Sequence, residues 1–472
     1  MKKVIIVLIL ILSIINAKTY EELVQEMDKD YDTFITKMDK DFAKALGKDW
    51  KEFDSEFEPS FSNPKPRTTP VAPKAPKKEV DNTPRAVINT VPQPPYYRNP
   101  TLPNIPSPTR GYKKLSINFF SQKIDIVYNE KLNYKLREFD NNSIAQYWLH
   151  QSNIEINNLL NQIREHQRAL NLNDWHIYLL VKDIAKKITH DRENSRLLSW
   201  FILNKLGYDV KLGFDKNNSS IYLMPNINQQ IYNALYTKIN NQTYYSFDNS
   251  HRKNIYTYPS RFANTRPLNL AKNTTPYLNR NIKTYKLNFK NRGMIYSISV
   301  PYNKNLITLY NSYPSMDWNY YFRQPIEPIT KYKLFNQLKS IMQNMSELEA
   351  VNFLLHLTQY SFKYATDNEQ FGRERTLFLE ESLGYRANDC EDRSVFFGKL
   401  VKELLGLPIV ALHYPNHLAI AVAFKSDVKG ESFLYNNRKY TVCDPTYIGA
   451  DVGLAMPQFR GSKNVKIIPI NY

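Results

Sequence analysis

Asp389-Cys390-Glu391-Asp392-Arg393-Ser394 runs directly into Val395-Phe396-Phe397-Gly398-Lys399-Leu400-Val401-Lys402-Glu403-Leu404-Leu405-Gly406. Phe396, Phe397, Leu400, Val401, Leu404 and Leu405 recur at helical spacing, and Gly406 is placed to end the helix in a left-handed cap. The spacing predicts a helix that begins at or just before Cys390. Unpaired backbone N–H groups and the positive end of the helix dipole favour a thiolate at that position. The chain has 2 cysteines, too few for a disulfide framework or a four-cysteine zinc site, so Cys390 reads as a nucleophile.

Downstream, Ile409 to Leu412 leads into His413-Tyr414-Pro415-Asn416-His417 and then Leu418-Ala419-Ile420-Ala421-Val422-Ala423-Phe424, a strand by composition with His417 at its entry. A polar turn over Lys425 to Lys439 precedes Tyr440-Thr441-Val442-Cys443-Asp444-Pro445, a second strand ended by proline. A hairpin of these two strands sets His417 beside Asp444, and a helix packed on that sheet can carry Cys390 to His417. The residue types are those of a thiol hydrolase: Cys390 attacks, His417 moves the proton, and Asp444 holds the imidazole. The backbone N–H of Cys390 is the natural oxyanion donor, with Tyr385 or Asn388 as candidates for the second. His413 competes with His417 as base, and His417 is preferred because the strand begins there. Cys443 reads as a core residue that points to the face opposite Asp444, which argues against a Cys390–Cys443 disulfide. A zinc site built on His413 and His417 lacks a spacing signature.

Asp389-Cys390-Glu391-Asp392, His417 and Cys443-Asp444-Pro445-Thr446 together resemble the transglutaminase-like superfamily of papain-like fold, and within it the bacterial transglutaminase-like cysteine proteinases. The resemblance covers roughly Leu334 to Tyr472. It implies an α+β core with a cysteine-bearing helix packed on an antiparallel sheet, and acyl chemistry at peptide or amide bonds. No cofactor is required by that chemistry. Some periplasmic members bind calcium through acids around the cysteine, which here would be Asp389, Glu391 and Asp392; the same acids equally suit the charge of a helix N-terminus.

A faint repeat organises the remainder. Leu159-Leu160-Asn161-Gln162-Ile163-Arg164 matches Leu334-Phe335-Asn336-Gln337-Leu338-Lys339 at an offset of 175, and Leu206-Gly207 matches Leu405-Gly406 at an offset of 199. Similar matches upstream (Leu115-Ser116-Ile117-Asn118-Phe119 with Leu287-Asn288-Phe289) and downstream (Tyr245-Ser246-Phe247-Asp248 with Thr441-Val442-Cys443-Asp444) keep the order. The second copy is thus longer near Asp367 to Asn388, where Arg373, Glu380 and Glu381 either line a cleft or belong to a solvated helix. In this register Cys390 faces Asp191, His417 faces a position near Asn218, and Asp248 alone matches the triad. The first copy is expected to be a catalytically dead scaffold, binding surface or cover.

The expected organisation is an export signal at 1–17, a charged amphipathic helical segment at 18–58, a Pro-rich linker at 59–110, a degenerate transglutaminase-like copy at 111–265 and a catalytic copy at 283–472. Leu23, Met27, Tyr31, Phe34, Met38 and Phe42 share one face of the second segment, which reads as an exposed or self-associating helix. The linker is expected to stay extended and hold the folded part away from the N-terminus. A net charge of +18 follows from a Lys-rich composition, and without an arginine–aromatic patch it does not argue for nucleic acid. Beyond the signal no stretch is apolar enough to span a membrane. The expectation is an exported, periplasmic or cell-surface hydrolase acting on a protein or peptide, with cell-envelope material as one candidate substrate. Acyl transfer to an amine uses the same residues, and a noncatalytic envelope-binding protein that keeps the fold is the competing class.

Overall fold

The computed structural model describes residues 20–59, 69–73, 81, 83–91, 93, 100–215, 220–247, 254–271 and 275–470. The expected signal at 1–17, and the positions Asn218 and Asp248, lie outside them. The chain is mixed α+β with several antiparallel sheets. Among the described residues no helix is long and apolar enough to cross a membrane.

Two stretches of similar layout follow one another. Each opens with a hairpin, Tyr112–Phe119 with Gln122–Asn129 and Ile282–Asn291 with Met294–Asn303. Each hairpin turns through two residues with positive φ, Phe120 and Ser121 in the first and Arg292 and Gly293 in the second, the twist that suits a tight hairpin. The first hairpin leads to helices Asn141–Ser152, Asn157–Ala169, Asp174–Thr189 and Arg192–Lys205, then to short antiparallel strands. The second leads through helices Pro328–Met342 and Glu347–Ser361 to Cys390–Leu400, then to a five-stranded antiparallel sheet. That sheet runs in the order Ser432–Tyr435, Arg438–Cys443, His417–Val422, Ile409–Tyr414, Lys466–Pro469. Apolar side chains of both stretches join one buried cluster.

The sheet explains itself locally. Pro415 and Asn416 form the turn between Tyr414 and His417, and Asn416 sits at φ 64, as a Pro-Asn turn of the second type requires. The polar stretch expected to be a simple turn contains a further strand, because Asn436 and Asn437 both take left-handed φ and close a second hairpin, Ser432–Tyr435 onto Arg438–Cys443. The expected pairing of the His and Asp strands is present, with Ile420 opposite Cys443 and Val422 opposite Thr441.

Two expectations about the N-terminal region differ from the structure. The helix Tyr20–Leu46 does not stand free: its last turns bury Phe42, Ala43 and Leu46, and Phe42 sits among Trp148, Trp200, Tyr258 and Phe262 at ring separations of 4.7–6.2 Å. Asp39 accepts from Trp148 Nε1 at 3.0 Å and pairs with Lys205. Phe34, two turns earlier, is exposed, so the apolar stripe docks at its C-terminal end. Strand Lys51–Asp54 then joins the sheet beside Asn254–Thr257. The described residues of the Pro-rich stretch touch the second half of the molecule rather than holding it at a distance. Pro removes its own N–H from pairing, and the residues between the prolines provide the bonds: Ala72 N–H to Ile448 O, Ala86 N–H to Met345 O and Asn89 N–H to Leu404 O, all 2.7–3.0 Å.

Candidate functional site

Cys390 opens the helix Cys390–Leu400 and Asp389 is its N-cap. Cys390 and Asp389 are buried, while Glu391 is partly exposed. Cys390 Sγ lies 3.0 Å from Glu391 Oε2, a contact in which the thiol donates. The helix packs on strand His417–Val422, and Ser394 Oγ donates to Leu418 O at 2.9 Å. Cys390 is one helical turn before Ser394, and His417 is one residue before Leu418. The thiol and the imidazole thus flank the Ser394–Leu418 contact in sequence, and alternation turns His417 to the strand face shared by Ala419 and Ala421.

His417 is buried, and its Nε2 lies 2.8 Å from Asp444 Oδ2. With the carboxylate ionised, Nε2–H donates and Nδ1 keeps the lone pair. The other carboxylate oxygen, Oδ1, accepts the N–H groups of Thr446 at 2.9 Å and Tyr447 at 3.2 Å, which fixes Asp444 on its own turn. Phe459 lies parallel to the His417 ring at 5.2 Å between centroids, and Tyr414 stacks beyond it. Strand alternation sends Leu418, Ile420 and Val422 toward the helix side and Ala419 and Ala421 to the other face. His413 does not meet Asp444; its ring packs edge-on against Trp318 at 4.9 Å, and burial lowers its affinity for a proton. Cys443 is a free core cysteine on the helix side of the sheet. Burial pushes its thiol well above the usual range, as expected of an inert residue.

The sequence reading passed over Arg393. One turn below Cys390, it is 1% exposed and donates to Phe362 O at 3.0 Å. Desolvation pulls its pKa down to about 10, against the favourable pull of Tyr364, Asp389, Asp392 and Cys390. It remains a cation at neutral pH beneath the thiol. The signal that could have found it is an arginine at helical spacing from the cysteine. Asn388 is wholly buried, and neither atom of its amide is hydrogen-bonded among the described residues. An unsatisfied amide is costly in a core, and this one lies two residues before Cys390. Tyr385, the other candidate donor, packs edge-on against Phe371 and beneath Arg375.

The helix before the cysteine is not a solvated one. Glu380 and Glu381 are buried, with Glu381 paired to Arg375 and Glu380 accepting the N–H of Glu327. Burial raises the Glu380 carboxyl to about 7. Arg373 is exposed and donates to Asn311 O at 3.3 Å.

Oxygens of Asp367, Asp389 and Asp392 lie within 4.8 Å of one another, and Asp389, Cys390 and Glu391 form a second such group. Asp392, however, accepts the N–H groups of Leu377 at 2.7 Å and Asp389 at 3.3 Å, and Asp367 accepts that of Arg375 at 3.0 Å. These bonds hold Asp392 and Asp367 beside the helix start.

Asp191 caps Arg192–Lys205 by accepting Asn194 N–H at 2.7 Å, and Asp389 holds the N-cap position of the cysteine helix. The last turn of the second helix, Val401–Leu405, is a π-turn, which adds one residue relative to an α-helix. Matched at the N-cap positions, Cys390 stands opposite Arg192; matched at Gly207 and Gly406, it stands opposite Asp191.

Comparison with family models, with curated proteins and with solved structures finds no match to this chain.

Proposed function

We propose that this protein is a cysteine-dependent hydrolase of peptide or amide bonds, with a transglutaminase-like, papain-like core in its second half and a degenerate copy of it in the first. The observation that carries the reading is the His417–Asp444 pair, 2.8 Å apart, at the end of the sheet where the cysteine helix begins. Cys390 Sγ attacks the substrate carbonyl and its proton passes to His417 Nδ1. Asp444 holds the imidazole by Nε2–H and stabilises its charged form. The Cys390 N–H and the Asn388 amide receive the developing oxyanion. Collapse breaks the C–N bond, His417 returns the proton to the leaving amine, and water deacylates the thioester. Arg393 favours the thiolate. The similar hairpin–helix–hairpin order of the two stretches, and their matching Asp caps, support duplication; Arg192 at the position of Cys390 leaves the first copy without a nucleophile. The position of action is proposed to be outside the cytoplasm, with protein or peptide of the cell envelope as substrate.

The test is amide cleavage on envelope extracts by the wild-type chain and by Cys390→Ala and Cys390→Ser. Loss of cleavage in both variants with unchanged folding is the expected result. Cleavage that survives either substitution overturns the reading, and tight binding of an envelope polymer without any cleavage favours the noncatalytic class.

A further inference from the structure

The Pro-rich strap makes one contact that its other anchor points do not explain. Ile448 lies four residues after Asp444 and uses both of its backbone groups outward: its N–H donates to Pro70 O at 2.9 Å and its C=O accepts from Ala72 N–H at 2.7 Å. Val71 thus pairs with Ile448 as a parallel bridge. The Val71 side chain points to solvent at 70% exposure, while Ala72 enters a small apolar cluster of Tyr447, Ala450, Leu454, Met456 and Phe459. Phe459 is the ring that lies parallel to His417. The turn that presents Ile448 is rigid: Gln359 donates to Asp444 O and Ala450 O and accepts from Gly449 N–H, at 3.0–3.1 Å.

This is how an extended peptide is held by a protein edge, with two main-chain bonds to one residue and a shallow pocket for every second side chain. We propose that the Ile448 edge is a binding site for extended peptides with a small residue at the pocket position, and that Pro70–Ala72 is a built-in competitor lying in it. The inference deepens the hydrolase reading by naming how the substrate backbone is held, and its substrate side rests on that reading. The pocket that holds Ala72 is lined by apolar side chains, Tyr447 and Met456 among them, and disfavours a charged side chain. The preceding residue, in the position of Val71, is unrestricted. A tethered competitor acts at an effective concentration in the millimolar range, so a free peptide of equal affinity meets an apparently weak site.

The probe is a fluorescein-labelled peptide of sequence 67–75, and the readout is anisotropy with the full chain carrying Cys390→Ala. Adding Ala72→Pro removes the N–H that bonds Ile448, and Ala72→Glu places a charge against the apolar cluster; both changes lie on the surface strap. Each double variant is expected to bind the peptide about tenfold or more tightly than Cys390→Ala alone, and a probe with Glu at its Ala72 position is expected not to bind. Equal affinities with and without the strap substitutions, no binding to any form, or binding of the Glu probe overturns the inference. None of these outcomes depends on catalysis. If the peptide behaves as expected and neither the wild type nor Ala72→Pro cleaves an amide, the edge stands and the hydrolase reading falls.

Discussion

Arg393 sits one turn beneath the Cys390 thiol with its guanidinium buried against Phe362 O and the Tyr364 ring, while the Glu391 carboxylate touches the sulfur itself. The two charges act on the thiol in opposite directions, since a cation favours the thiolate and an adjacent carboxylate opposes it. Glu391→Gln is therefore expected to raise the rate of Cys390 alkylation at pH 7 by about three- to tenfold. Mass spectrometry of iodoacetamide adducts checks it, and the inert Cys443 serves as an internal reference; an unchanged rate means the carboxylate does not restrain the sulfur. Asn388 acts at a different stage. On the proposed reaction, Asn388→Ala is expected to lower kcat by about a hundredfold with KM little changed. A fall confined to KM would assign the amide to substrate binding.

The added helix Leu379–Tyr385 carries a carboxyl that burial holds up to about 7, at Glu380. In the unfolded chain the same group titrates near its ordinary value of 4.5. Between those values the folded state keeps a proton that the unfolded state has released, so stability falls as pH rises from about 4.5 to 7 and then levels off. Urea titrations across that range are expected to show the loss, up to about 3 kcal/mol, and Glu380→Gln is expected to flatten it. The π-turn at Val401–Leu405 offers a second test on an element. Deleting Lys402 turns it into a regular helical turn and shifts Cys390 by one residue, about 1.5 Å along the axis and 100° around it. Activity should vanish while circular dichroism stays near wild type. The cysteine helix, its Gly406 cap at φ 68, and the paired strands of His417 and Asp444 were all legible in the sequence, because periodicity and proline or glycine punctuation are local signals. The π-turn was not, since one extra residue in an apolar run leaves the helical spacing intact. Glu380 and Glu381 were misread for a related reason: charge predicts exposure unless a distant partner such as Arg375 or Glu327 is known.

At the scale of the molecule, the N-terminal segment is part of the folded body. Phe42→Ala removes a ring that fills the space between Trp148, Trp200 and Phe262, and a loss of about 3–4 kcal/mol with a lower Tm is expected; scanning calorimetry measures it. A change below about 1 kcal/mol would mean that the helix is only loosely held. Composition could not reveal this docking, because the charged face of the helix and the prolines after it match those of solvated segments. Only the aromatic socket, assembled from residues more than a hundred positions away, decides it. The strap has a further consequence, concerning the order of folding. Arg85 bonds Gln343 O across 258 residues and Asn89 bonds Glu403 O across 314, and closures of that length come late. A chain emerging from its N-terminus makes the strap first and its landing sites last. The sheet, the His417–Asp444 pair and the Ile448 edge must exist before Pro70–Ala72 has anywhere to lie, so every newly made molecule passes through a stage in which that edge is bare.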